Sequence, residues 1–213
     1  MTTDDGYILK LFRIPRGRGE THSNAAKYVV LTYRFADSCT TNNRPPVFLQ
    51  HALLDSSCSW INQLANESLG FILADKGGFC SILDPRPSPT SPHTGYDVWF
   101  GNSRGNTFSK NHTTLSVSDV EFWRFSFDQM AAYDVPASVD YVLKVNGAST
   151  LVYVGHSQGT TIGLAAMAQS IKLQAKVLRL PCGICKHVHR IQPHPTCRSR
   201  WRCYWRRQCT CST

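Results

Sequence analysis

Gly155-His156-Ser157-Gln158-Gly159 sets a serine between two glycines, the pattern G-x-S-x-G. A serine hydroxyl is a weak nucleophile alone. It becomes effective where a base takes its proton and fixed N–H donors hold the oxyanion it creates. The pentapeptide suits that chemistry when a strand runs into it and a helix leaves it. The serine is then forced into a strained conformation, and the glycines let strand and helix approach each other. A helix starting at Gln158 also offers unpaired N–H groups in its first turn, where negative charge is favoured. The five residues alone equally fit a glycine-rich turn that contains a serine, so the flanks must decide.

The flanks favour the turn from strand to helix. Leu151-Val152-Tyr153-Val154 is a short β-branched and aromatic run that reads as a buried strand, and Thr160 to Ala168 is small and apolar like a closely packed helix. Upstream, Asp5 to Ile14 alternates like a strand, Lys27 to Phe35 could form another, and Pro46-Val47-Phe48-Leu49-Gln50-His51 is a better one. The last opens into the loop Ala52 to Ser57, and loops at such strand ends are where α/β proteins place their chemistry. Ser68 to Lys76 reads as a helix stopped by Gly77-Gly78. Pro85, Pro87, Pro89 and Pro92 then exclude helix or central strand, so 80–96 reads as a loop or insertion. Asp97 to Asn102 resumes as a strand, followed by the polar loop Ser103 to Asn106. From Phe122 a helical stripe passes Pro136 and continues through Val139, Val142 and Leu143 to a stop at Asn146-Gly147. The alternation of strand and helix predicts a doubly wound α/β fold: a mostly parallel sheet with helices on both faces.

Charge and cysteine divide the chain. Of 213 residues with a net charge of +9, residues 181–213 hold seven basic side chains and no acid, so the body is nearly neutral. Six of the nine cysteines lie in the same stretch. High one-sided charge and little apolar periodicity predict a disordered tail. The division is therefore 1–180 for a folded domain, with 80–96 inserted, and 181–213 for the tail. No apolar N-terminal leader and no run long enough to span a bilayer is visible, which predicts a chain that stays in the cytosol. The sequons at Asn66 and Asn111 would suit a secreted protein.

Several motifs in order resemble the acid lipases, a family of α/β-hydrolases that includes gastric and lysosomal enzymes. They are Asp5-Gly6-Tyr7, Phe48-Leu49-Gln50-His51 with Leu53-Leu54, Asp97 to Asn106, Phe125 to Asp128 with Met130, Tyr133-Asp134 with Pro136-Ala137, and Gly155 to Thr161. The resemblance covers most of Asp4 to about Val177. It implies a carboxylic ester hydrolase of lipid metabolism, working without a cofactor on a triacylglycerol or steryl ester. Ser157 would attack the ester, and the backbone N–H groups of Leu53 and Gln158 would hold the oxyanion. The resemblance also admits a membrane or lipid-droplet surface as partner and implies a secretory or lysosomal home. Nucleic acid is not expected as a partner.

Departures from the family pattern bear on activity. Ala52 stands where the family usually has glycine, and the segments 24–43 and 80–96 look inserted. More consequential, the fold's triad runs Ser, then Asp or Glu, then His, yet the last acid here is Asp140. No triad acid or histidine is identified, which predicts a truncated α/β-hydrolase sheet with little or no turnover. His51 is read as structural, His156 as a packing residue, Asp128 and Asp134 as caps or ion-pair partners of Arg104 or Arg124, and Trp99, Trp123 and Phe127 as core. The rival reading is a non-catalytic product whose tail binds metal through Cys182, Cys185, His187 and His189, or binds nucleic acid through arginine and aromatic residues. The metal spacing is weak, because the second half of the tail has no matching pair.

Overall fold

Val47-Phe48-Leu49 and Leu151-Val152-Tyr153-Val154 carry no charge, and strands that apolar are stable where both faces are covered. In the computed structural model, which describes residues 1–18, 44–75 and 95–179, they are two neighbouring strands in the middle of a sheet. The elements run β1 (Tyr7–Ile8), β2 (Phe12–Ile14), β3 (Pro46–Gln50), α1 (Leu69–Asp75), β4 (Asp97–Phe100) and β5 (Asn111–His112). Then come α2 (Phe127–Gln129), α3 (Val135–Asn146), β6 (Leu151–Gly155), α4 (Gln158–Gln169), α5 (Ile171–Lys176) and β7 (Val177–Arg179). The main sheet has the order β2-β4-β3-β6-β7, with β2 antiparallel to β4 and the other pairs parallel. β1 and β5 form a separate antiparallel pair.

Successive side chains of the central strands serve opposite faces, as the two-residue period requires. Phe48, Trp99 and Tyr153 pack with Val139, Val142 and Leu143 of α3 and Ile162, Ala166 and Met167 of α4. Val47, Leu49, Val98, Phe100, Val152 and Val154 pack with Leu73 and Ala74 of α1 and with Tyr96. The α/β architecture with helices on both faces is therefore the one expected. The stripe on α3 is buried, and Gly147 ends that helix at φ 82°, its N–H donating to Leu143 O at 2.8 Å. Between α2 and α3, Met130–Asp134 is a π-helical turn. Pro136 accounts for it: proline offers no N–H and its ring crowds the preceding turn, which a wider turn accommodates.

Asp97 ties the amino end of β4 to its surroundings. Its buried carboxylate accepts from Arg13 Nε at 2.7 Å and Nη2 at 3.0 Å, from Trp99 Nε1 at 2.9 Å and from Asn146 Nδ2 at 2.6 Å. A carboxylate so fully paired can be buried without leaving an uncompensated charge.

Some expectations need correcting. Asp5 to Ile14 is not one strand; its two pieces, β1 and β2, belong to different sheets. Gly6 at φ 94° bends the entry, Leu9 N–H turns back to Met1 O at 2.8 Å, and Lys10 N–H goes to Ser109 Oγ at 3.1 Å. With those donors spent elsewhere, no continuous ladder can form. Trp99 is core, but Trp123 and Phe127 are each 46% exposed. Trp123 lies edge-on to Phe122, the ring that is buried, and its Nε1 donates to Val117 O at 2.8 Å. The expected strand from Lys27 to Phe35, nearly all of the 24–43 and 80–96 segments, and the tail with Cys182, Cys185, His187 and His189 lie outside the described residues.

Candidate active site

Three residues were singled out for chemistry, and all open from the carboxyl ends of β3 and β6. Gln50 pairs with Gly155 at the end of the ladder between those strands. One residue later, His156 N–H donates to Gln50 O at 3.0 Å. Ser157 follows, exposed, at φ 51° and ψ −115°. That backbone region is unfavourable for an L-residue with a side chain, and it persists only where the surroundings enforce it.

Four contacts enforce it. A Cβ added at Gly155 would stand 2.5 Å from Thr160 N, and one at Gly159 would strike Gln50 O and stand 2.7 Å from His51 O. Strand and helix thus meet backbone to backbone, at positions where only glycine fits. Tyr153 OH, buried in β6, donates to Gly159 O at 2.8 Å, and Thr160 Oγ1 donates to Gly155 O at 2.8 Å. Burial raises the Tyr153 phenol far above its ordinary pKa, so it remains a donor. Sequence reasoning passed over Tyr153 and Thr160; their hydroxyls and their nearness to the glycines were the available signal.

Gln158 begins α4, and its N–H has no acceptor among the described residues. The Leu53 N–H likewise makes no hydrogen bond among them. Leu53 and Leu54 form the tip of the loop after β3, 60% and 99% exposed, and Leu54 takes φ 58°. Ala52 is not among the positive-φ residues, so alanine in place of glycine there carries no conformational strain. Unspent amide donors, one next to the exposed hydroxyl in the chain and one on the loop after the neighbouring strand, are groups of the kind that can stabilise negative charge on a substrate oxygen.

Other residues take the places expected of them or differ in instructive ways. His51 is buried, with Nδ1 donating to Ala52 O at 2.7 Å and Nε2 accepting from Ser103 N–H at 3.0 Å. Both ring nitrogens are engaged, and burial lowers its pKa, so it is a neutral structural imidazole with no lone pair for Ser157. His156 is exposed and lies edge-on to Trp60, with ring centroids 6.4 Å apart. Asp134 binds Arg104 Nε at 2.8 Å and Nη2 at 2.7 Å, while Asp5 takes Nη1 at 2.6 Å and Nη2 at 3.0 Å. The polar loop Ser103 to Asn106 therefore contains a buried arginine, Arg104, whose guanidinium lies 4.0 Å over the Tyr7 ring. Burial pushes the Asp134 carboxyl up to about 6 against the pull of Arg104. Asp5 is also raised by desolvation, but its bonds from Arg104 and Thr3 outweigh this and hold it below the usual range. Asp128 meets neither arginine and instead accepts from Ser126 Oγ at 3.1 Å; Arg124 pairs with Glu121 at 3.2 Å. Among the described residues no group of histidine, cysteine and carboxylate could hold a metal ion, and no helix is long and apolar enough to cross a membrane.

Comparison with known proteins agrees with this geometry. The family described as "alpha/beta hydrolase fold" matches residues 45–181, and the "Partial alpha/beta-hydrolase lipase region" matches residues 1–64. The chain is 47% identical over 175 residues to the human lysosomal acid lipase/cholesteryl ester hydrolase, covering 82% of this chain and 35% of that protein. It is 45% identical to human lipase member J over 83% of this chain and 39% of the relative. Human gastric triacylglycerol lipase is 44% identical, over 83% of this chain and 36% of its own length. The chain thus spans little more than a third of the relatives it matches. It belongs to the α/β-hydrolase family, among its acid lipase-like members.

Proposed function

We propose that Ser157 is the nucleophile of a carboxylic ester hydrolase acting on lipid esters, through an acyl-enzyme, with the N–H groups of Leu53 and Gln158 as oxyanion donors. The observation that carries this reading is the exposed Ser157 at φ 51° between β6 and α4, followed in the chain by a Gln158 N–H that makes no hydrogen bond among the described residues, with a second such N–H, that of Leu53, on the loop after the neighbouring strand β3. The relatives' names, lysosomal acid lipase/cholesteryl ester hydrolase and gastric triacylglycerol lipase, support a triacylglycerol or steryl ester as the substrate class. Residues 1–180 form the hydrolase portion in this reading, with 80–96 an insertion and 181–213 an appended tail.

Turnover by these 213 residues is expected to be slight. No Asp or Glu follows Ser157 in the sequence, and among the described residues Ser157 Oγ accepts or donates no hydrogen bond. Loss of triad partners lowers turnover by roughly 10⁴ to 10⁶, leaving what the oxyanion donors and binding supply. The test is labelling by an alkyl fluorophosphonate at high concentration, located by peptide mass, alongside hydrolysis of a short-chain nitrophenyl ester. Slow modification of Ser157 with ester turnover near background is the expected result. Rapid turnover unaffected by Ser157→Ala, or modification at another serine, overturns the assignment.

A further inference from the structure

The loop that carries Leu53 is tied at both ends and exposed at its tip. At its start, His51 Nε2 accepts from Ser103 N–H at 3.0 Å, and Gln50 Nε2 donates to Ser103 Oγ at 2.9 Å. At its end, Ser57 N–H donates to Asn102 Oδ1 at 3.0 Å. Both anchors come from the loop after β4, the adjacent parallel strand. Asn106 Nδ2 joins them, 2.8 Å from Asn102 Oδ1 and 3.2 Å from His51 Nε2. His51, Ser57, Asn102 and Ser103 are all at most 5% exposed.

Asn102 is the residue whose chemistry is most constrained. Its Nδ2 donates to Lys10 O at 2.9 Å, and a carbonyl can only accept. Its Oδ1 takes the Ser57 and Asn106 N–H groups, which can only donate. A carboxylate would face Lys10 O with an acceptor, and an alkyl side chain would leave buried groups unpaired at both ends. One primary amide serves all three neighbours.

We infer that Asn102 is a positioning residue for the oxyanion loop, fixing the Leu53 N–H through Ser57 while touching neither Ser157 nor the substrate oxygen. The inference rests on the reading of Leu53 as an oxyanion donor. Geometry of this kind matters because a donor helps catalysis only when it is already aimed at the charge that develops.

Hydrogen exchange on the full chain, followed residue by residue, tests the positioning without any need for turnover. In the wild type, the Ser57 and Ser103 amides are expected to share one protection factor within about threefold, since a single opening of the clamp releases both. In Asn102→Ala, the Ser57 amide, whose N–H Asn102 accepts, is expected to exchange at least about tenfold faster, with 47–50 and 151–155 unchanged; in Asn102→Asp, which keeps the acceptor, most of that protection returns. Unequal protection of Ser57 and Ser103 in the wild type overturns the proposal, even if Asn102→Ala does not fold. So does Asn102→Ala exchange that is unchanged at Ser57, or accelerated equally in the strands. Fluorophosphonate labelling supplies the second arm. Asn102→Ala is expected to lower the maximal rate of Ser157 modification by about tenfold or more with half-saturation unchanged, the pattern of a displaced oxyanion donor. A wild type that is not labelled defeats the hydrolase reading, while the exchange data still decide the role of Asn102.

Discussion

His156 N–H bonds Gln50 O across 3.0 Å, joining the turn that bears Ser157 to the end of the strand from which the Leu53 loop departs. That bond extends the parallel ladder between β3 and β6 by one step beyond Gly155. The turn bearing Ser157 and the start of the Leu53 loop are therefore anchored to the same pair of strands, while the rest of that loop is held by Asn102 and Ser103.

The conformation at Ser157 costs stability. Residues held in such regions are strained by about 1–3 kcal/mol, and glycine is not. Ser157→Gly is expected to raise the urea midpoint by an amount equivalent to about 1 kcal/mol, because glycine also gains disorder in the unfolded chain. Ser157→Ala retains the Cβ and is expected to stay near the wild type. Equal stability of the two variants in urea titrations would show that the φ of 51° is not a source of strain.

Two glycines separate the effect of space from that of conformation. Gly159→Ala drives a methyl into the carbonyls of Gln50 and His51, and a loss of about 3 kcal/mol is expected with α4 displaced from β3. Gly147→Ala meets nothing within 4 Å and suffers only from φ 82°, for a loss of about 1 kcal/mol. Denaturant midpoints that reverse this order would contradict the backbone contact at Gly159.

Asp134 gives the fold a pH dependence of definite sign. Its carboxyl is raised from 3.8 to about 6, so between those values the folded chain holds a proton that the unfolded chain has released. Its contribution to stability is complete below pH 3.8 and is lost as pH rises through about 6. Asp5 and His51, both lowered, act in the opposite direction and lose their contributions as pH falls. Asp134→Asn removes the first effect and leaves Asp5 paired with Arg104. The stability of the wild type relative to Asp134→Asn is therefore expected to be greater at pH 4.5 than at pH 7.5. Unfolding curves showing a smaller difference at pH 4.5 would mean that Arg104 controls the carboxyl despite its burial.

The junction at α1 makes a prediction about chain length. Tyr96 N–H donates to Leu73 O at 2.9 Å, and Gly95 packs against Ala74, so the chain on either side of 76–94 lies in contact. Replacement of 76–94 by two or three glycines is expected to leave the melting temperature within a few degrees, since loop length alone has a weak effect. Failure of that variant to fold would remove the grounds for treating the proline-rich stretch as inserted.

What could be read from the sequence was local. Ser157 and its glycines, the stripe Val139, Val142 and Leu143, and the stop at Gly147 are each set by a few consecutive residues, and each is where periodicity and turn chemistry put it. The features that escaped were set by distant partners. Asp134 was legible as an ion-pair partner of Arg104, but the burial of that arginine and its second partner Asp5, 99 residues away, were not. Trp123 and Phe127 look like core until Phe122 is seen to occupy the space beside Tyr7. Asn102 reads only as the polar end of a strand, because Lys10 and Ser57 are its neighbours only in three dimensions.

Asp97 gathers Arg13, Trp99 and Asn146 at the amino end of β4, while Ser157 and the Leu53 loop stand at the opposite, carboxyl ends of the strands. The molecule thus keeps the Asp97 anchorage and the candidate site at different poles. Damage around Asp97 should cost yield and solubility without altering what the surviving molecules can bind, and remodelling of the loops near Ser157 can proceed without loosening the foundation beneath them.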